Sequence, residues 1–95
     1  PIGVAQAAAV RVGHAIFVSA AAPIGPERKT VGPDDPSAQA QRCLDIIRAA
    51  LEDAGASVSD VVRTRIFLTT IGDWEAVGKV HGRFFNDVRP ASTVV

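Results

Sequence analysis

The sequence predicts an α+β sandwich in which two helices pack on one face of a sheet. Two observations carry this expectation. Residues 36 to 95 read as helix, strand, helix, strand, and the residues before them hold a hairpin of two short apolar runs. A strand that passes through a helix into another strand favours parallel pairing with a right-handed connection, which is the expectation for both crossovers.

Each element has its own signal. Ala7 to Val12 and Ala15 to Ala22 are apolar runs joined by Gly13-His14, a two-residue hairpin link. Residues 23 to 35 are rich in proline, glycine and charge, which predicts a loop. Asp35 can accept an orphan amide hydrogen at a helix start, and Pro36 suits the first helical position because its missing N–H costs nothing there. Ala40, Cys43, Leu44, Ile47, Ala50, Leu51 and Ala54 then recur at the spacing of one helical face, and Gly55 follows as the left-handed stop. Val61 to Thr70 alternates by two: Val62, Thr64, Ile66 and Leu68 on one side, Arg63, Arg65, Phe67 and Thr69 on the other. The second helix starts at Asp73, a candidate cap, with Trp74, Val77, Val80, His81, Phe84, Phe85 and Val88 along one face. Pro90 stops it. Because the residue before a proline prefers extended geometry, the last strand is expected to begin at Arg89-Pro90 and run to Val95.

Composition narrows the class. A chain of 95 residues makes a single domain, residues 1–95, and buries about 60–70% of its unfolded surface. Hydrophobic residues make up 47% and charged residues 21%, which excludes a disordered segment. The apolar run from Ala15 to Gly25 is broken by Ser19 and Pro23 and falls short of the roughly 18 residues of a membrane span. No basic segment precedes it, so neither a membrane nor a secretory role is expected. One cysteine makes no internal disulfide, and the simplest compartment is the reducing cytoplasm. A formal net charge of zero steers the chain toward neither nucleic acid nor anionic lipid. With both helices on one side, the other face would expose Phe67 and one register of Phe17 or Ile16, so self-association is expected.

Six stretches occur in a distinctive order: Ile16-Phe17-Val18-Ser19, Gln39-Ala40-Gln41, Leu51 to Gly55, Asp60-Val61-Val62-Arg63, Trp74 to Phe85, and Pro90-Ala91. From about Val4 to Val95 the chain thereby resembles the Rid family of reactive-intermediate (enamine/imine) deaminases, also labelled endoribonuclease L-PSP. The resemblance implies a chorismate-mutase-like fold and a homotrimer, with sheets inside, helices outside and small-molecule clefts between subunits. It also implies hydrolysis of 2-aminoacrylate and 2-iminobutanoate to 2-keto acids and ammonia, with no metal and no organic cofactor.

The family's site residues transfer poorly. Its deaminase members carry Pro-Ala-Arg-Ser at the start of the last strand, where the planar guanidinium fork pairs bidentately with the substrate carboxylate. Here Ser92 takes the arginine's place and Val94 that of a cysteine two residues on. Ala20 replaces a glycine after the serine of the second strand, and Gln6 an aromatic of the first. A late glutamate of the family would fall beyond Val95, and the chain stops about one strand short of the family's usual end, which would leave Ala91 to Val95 as an edge. The resemblance therefore implies a ligand cleft lined by Ser92, Val94, Ala20 and Gln6. Arg65, with Arg63 on the same strand face, either anchors an anion in place of the lost arginine or forms an ion pair between subunits.

Other residues carry weaker signals. Cys43 on an apolar helix face reads as an inert small hydrophobe, and His81 reads as a packed or interfacial residue. Ser19 and His14 flank one hairpin with no acid to orient the histidine. The two histidines and one cysteine lack zinc spacing, and no glycine-rich loop matches a phosphate fingerprint. Two functions remain. One is a cofactor-independent imine or enamine deaminase, a hydrolase, whose substrate's acid group is absent or is held elsewhere than at Ser92. The other is a non-catalytic trimer that binds a small metabolite. Ribonuclease action ranks last, since 5% aromatics and zero net charge give neither a stacking platform nor a basic groove.

Overall fold

The structure, a computed structural model, describes residues 7–95. It is a small α+β fold with two helices. The order is β1 (Ala9–Val12), β2 (Ala15–Val18), α1 (Pro36–Asp53), β3 (Arg63–Ile66), α2 (Trp74–Phe84) and β4 (Ala91–Val94). Two short 3₁₀ turns, Val58–Asp60 and Ile71–Asp73, precede β3 and α2.

The hairpin pairs Ala9 with Val18 and Val12 with Ala15, so Gly13-His14 is its two-residue loop. Gly13 sits at φ +59°, in the left-handed region where a side chain is disfavoured. Both strands are shorter than the apolar runs suggested. The backbone N–H of Ser19 still reaches the Ala8 carbonyl at 2.9 Å. Beyond it the chain turns toward Pro23, which has no N–H to give a ladder.

Helix α1 follows its sequence signals closely. Asp35 accepts the Ala38 N–H at 3.0 Å and Pro36 opens the helix. At the other end Ala56 N–H reaches the Leu51 carbonyl at 2.8 Å and Gly55 N–H the Glu52 carbonyl at 3.0 Å, with Gly55 at φ +84°. That pair of bonds is a Schellman stop. Arg11 donates through Nη2 to the Ala54 carbonyl at 3.1 Å, tying the hairpin to this end. Helix α2 differs at its start. Asp73 belongs to the preceding turn, with helix-like φ −80° and ψ −1°, and its side chain caps nothing. The turn's own bond, from Asp73 N–H to the Thr70 carbonyl, leads the chain into the helix instead.

The helices pack on each other. Leu44, Val80 and Phe85 form the buried centre, and Ala40, Ile47, Val58, Val61, Phe84 and Val88 close around it. Such side chains contribute about 1.5–3 kcal/mol each when fully buried. The Arg48 guanidinium lies 4.5 Å above the Phe84 ring, extending the apolar cluster toward solvent.

Strands β3 and β4 pair in parallel: Arg63 with Ala91, Thr64 with Ser92, Arg65 with Thr93 and Ile66 with Val94. The second crossover thus gives the expected parallel pairing. The first does not make its strands neighbours. Among the described residues β1–β2 and β3–β4 are separate two-stranded sheets. A right-handed crossover fixes the sense of the return, not adjacency. An 18-residue helix is about 27 Å long and, with loops at both ends, has ample reach.

The alternation in β3 holds: Thr64, Ile66 and Leu68 are half-buried, while Arg63, Arg65, Phe67 and Thr69 are exposed. Val62 departs from it, at 81% exposure. The turn at Val58–Asp60 delays the strand until Arg63, so Val62 is outside the pleat. Phe17 and Phe67 are 63% and 69% exposed, the apolar surface that the pattern foretold. Among the described residues no helix is long and apolar enough to cross a membrane.

Candidate functional site

The connection from α2 to β4 shapes the candidate site. Both Val88 and Arg89 donate their N–H to the Phe85 carbonyl at 3.0 Å, closing a tight turn before Ala91 N–H joins the ladder at the Val62 carbonyl. Arg89 lies at φ +53°, not in the extended geometry expected before a proline. The turn bonds to Phe85 decide its conformation. For a residue with a Cβ, the left-handed region costs about 1–2 kcal/mol.

Ser92, the second residue of β4, faces Thr64 across the parallel pair, and the Thr64 hydroxyl donates to Ser92 Oγ at 2.9 Å. The same Thr64 Oγ1 lies 2.8 Å from His81 Nε2. A hydroxyl has one proton, so Thr64 must accept from His81, which assigns the proton to Nε2. Burial holds the His81 pKa below its ordinary 6.5 and keeps the ring neutral near pH 7. The imidazole also lies against Phe85, with ring centres 4.7 Å apart. Three side chains from β3, α2 and β4 therefore form one neutral chain, His81 to Thr64 to Ser92. At its end the Ser92 hydroxyl can still offer its own proton to a ligand. It brings no positive charge for a carboxylate.

The other expected site residues do not gather here. Val94 has the parity of Ser92 and pairs with Ile66, beside the corner. Arg65 pairs with Thr93, one residue out of phase, so it and Arg63 lie on the opposite side of the strand pair from Ser92. Ala20 lies past β2, in the segment leaving the other sheet. Gln6 is outside the described residues. Ser19 donates its hydroxyl to the Ala7 carbonyl, a structural bond that closes the hairpin. Cys43 is half-buried, not fully buried, because it faces the loop before α1. Its thiol donates to the Ala21 carbonyl at 3.5 Å. Burial pushes its pKa up against the smaller pull of Arg42, which fits an inert thiol. Among the described residues no three His, Cys, Asp or Glu side chains converge to hold a metal ion.

Thr64 escaped the sequence reading, and His81 was read only as packed or interfacial. Their signal was nonetheless present. Each is a polar residue at a core-facing position of its own element, and half-buried polar groups need partners.

A two-helix α+β domain with a parallel strand pair and a polar corner where α2 enters β4 is thus the class that fold and site define. Residues 4–95 match the family model described as endoribonuclease L-PSP, and the chain belongs to that family. It is 36% identical over 95 residues to a RutC family protein of Pyrococcus abyssi, covering all of this chain and 74% of that one. It is 35% identical over 78 residues to the 2-iminobutanoate/2-iminopropanoate deaminase of Escherichia coli, covering 82% of this chain and 60% of the deaminase. The crystal structure of a YjgF/YER057c/UK114 family member from Mycobacterium tuberculosis superposes with a TM-score of 0.85 at 39% identity, over 97% of this chain and 71% of that one.

Proposed function

We propose that the protein is a divergent Rid-type protein that takes a small metabolite into a cleft between the subunits of a homotrimer. There it hydrolyses an imine or enamine whose acid group, if any, is not paired at position 92. Water adds to the C=N carbon, the nitrogen leaves as ammonia, and a carbonyl product remains. The reading requires no metal or organic cofactor and assigns the protein to the cytoplasm. The observation that carries it is the neutral His81–Thr64–Ser92 chain at the corner where deaminase relatives are expected to present a guanidinium. The likeness to a protein named 2-iminobutanoate/2-iminopropanoate deaminase supports the reaction class. Exposed Phe17 and Phe67 support assembly.

A charge-assisted hydrogen bond contributes about 1.5–3 kcal/mol, so its absence costs about tenfold to a hundredfold in transition-state binding. The test is keto-acid release from freshly generated 2-iminobutanoate, beside release from an imine without a carboxylate. Slow turnover of the acid and faster turnover of the uncharged imine are expected. Family-typical rates on the acid would mean that another cation holds the carboxylate. Saturable binding without turnover of either imine would establish the non-catalytic reading instead, which is favoured by Ser92 having, among the described residues, only the neutral Thr64 hydroxyl as side-chain partner.

A further inference from the structure

Around the C-terminal half of α2, adjoining the corner through His81, lies a feature whose cations the reaction does not use. Two hollows, about 530 and 290 Å³, meet there and share Gly82 and Asn86 as lining residues. The first is walled by Lys79 and Arg83 and the second by His81, Phe85, Arg89 and Pro90. Their floor is open because Gly82 has no side chain, and a Cβ built there would meet nothing within 4 Å. Three cations therefore border one space with no carboxylate in its lining, on a chain whose formal net charge is zero.

Lesser roles account for only part of this. The C-terminal end of a helix carries about −0.5 of a charge, which one cation offsets. Glu75 and Asp87 lie four residues from Lys79 and Arg83, yet neither lines the hollows. Among the described residues the side chains of Lys79, Arg83 and Arg89, like those of Arg63 and Arg65, make no hydrogen bond to the protein, but these three alone border adjoining hollows.

We propose that Lys79, Arg83, Asn86 and Arg89 bind the phosphate group of a small phosphorylated metabolite over Gly82. A phosphate monoester carries close to two charges at pH 7 and presents acceptor oxygens that guanidinium forks match. The larger hollow is open to solvent, with a volume in the range of small-ligand sites, and suits a group held by its charge more than by enclosure. Left-handed Arg89 contributes from the far wall, bent there by the turn onto Phe85.

The test uses the full chain and inorganic phosphate, followed by amide NMR at constant ionic strength with chloride as the balancing anion. Saturable shifts centred on Gly82 and Asn86 are expected. Gly82→Leu, which fills the floor, and Arg83→Gln, at an exposed position, should each weaken binding at least fivefold. Linear shifts spread over all basic residues would overturn the proposal, as would unchanged binding in Arg83→Gln. A short oligoribonucleotide that binds far more tightly than phosphate, with the same dependence on Arg83, would overturn it in favour of a nucleic-acid surface. None of these readouts depends on imine turnover, so this site and the reaction stand or fall separately.

Discussion

Replacing Thr64 by valine tests the corner most directly. The change keeps the branched shape that suits β3 and deletes the one hydroxyl that bridges His81 Nε2 at 2.8 Å and Ser92 Oγ at 2.9 Å. Each such bond contributes about 0.5–1.5 kcal/mol net. Ser92 is exposed and regains water, so its share lies at the low end, while half-buried His81 loses a partner that solvent replaces less well. The expected loss is about 1–2 kcal/mol. For a domain of this size each kcal/mol lowers Tm by about 4–8 °C. Thermal unfolding must be compared at one protein concentration, because assembly would couple to stability.

The same variant has a spectroscopic reading. In the unmodified protein the His81 ring should show its proton on Nε2, held by Thr64. Thr64→Ser should preserve that signature because it keeps the hydroxyl, and Thr64→Val should abolish it. A double-mutant cycle with His81→Phe should then give a coupling above about 0.5 kcal/mol, the range for residues in one hydrogen-bond network. Stability within about 0.3 kcal/mol of the unmodified protein, with an unchanged His81 signal, would refute the bridging role.

Two further outcomes follow from the same structure. The His81 pKa lies below 6.5 in the folded state because burial disfavours the charged ring. Between the folded and unfolded values the unfolded chain binds more protons, so stability falls as pH drops below about 6.5. Urea unfolding at stepped pH should show that loss, and His81→Gln should flatten it above the carboxylate range. Phe17 and Phe67 are largely exposed, and on the proposed trimer reading they are covered by assembly, so Phe67→Glu should weaken self-association. Sedimentation at micromolar concentration should detect it, and an unmodified chain that stays monomeric would remove the intersubunit cleft.

Local signals were the legible part of this fold. Asp35, Pro36 and Gly55 delimit α1 because capping chemistry acts within four residues, and each does in the structure what its type suggests. Gly13-His14 closes its hairpin for the same reason. Asp73 failed because a 3₁₀ turn starting at Ile71 competes for the same stretch, and nothing in the apolar pattern distinguishes a turn of 3₁₀ from the first turn of α2. Arg89 failed because two local rules conflict there. The proline after it favours extended backbone, but the turn bonds onto Phe85 win.

The candidate site was less legible because it depends on register. Period-two alternation says which side of β3 Thr64 occupies, but not which residue of β4 lies opposite. That register is set by the passage through α2, and shifting it by one residue would turn Ser92 to the face of Arg65. The sequence could therefore report that a serine stands where an arginine was expected, and no more. The structure adds that this serine is bonded to Thr64, and through it to His81. Placing an arginine at position 92 would do more than add a charge. It would remove the acceptor of the Thr64 proton, leaving that hydroxyl to give its proton to solvent while it still accepts from His81 Nε2, or to turn and donate to Nε2. A change of His81 tautomer in Ser92→Arg would show that the Ser92 hydroxyl is what holds the Thr64 proton away from His81.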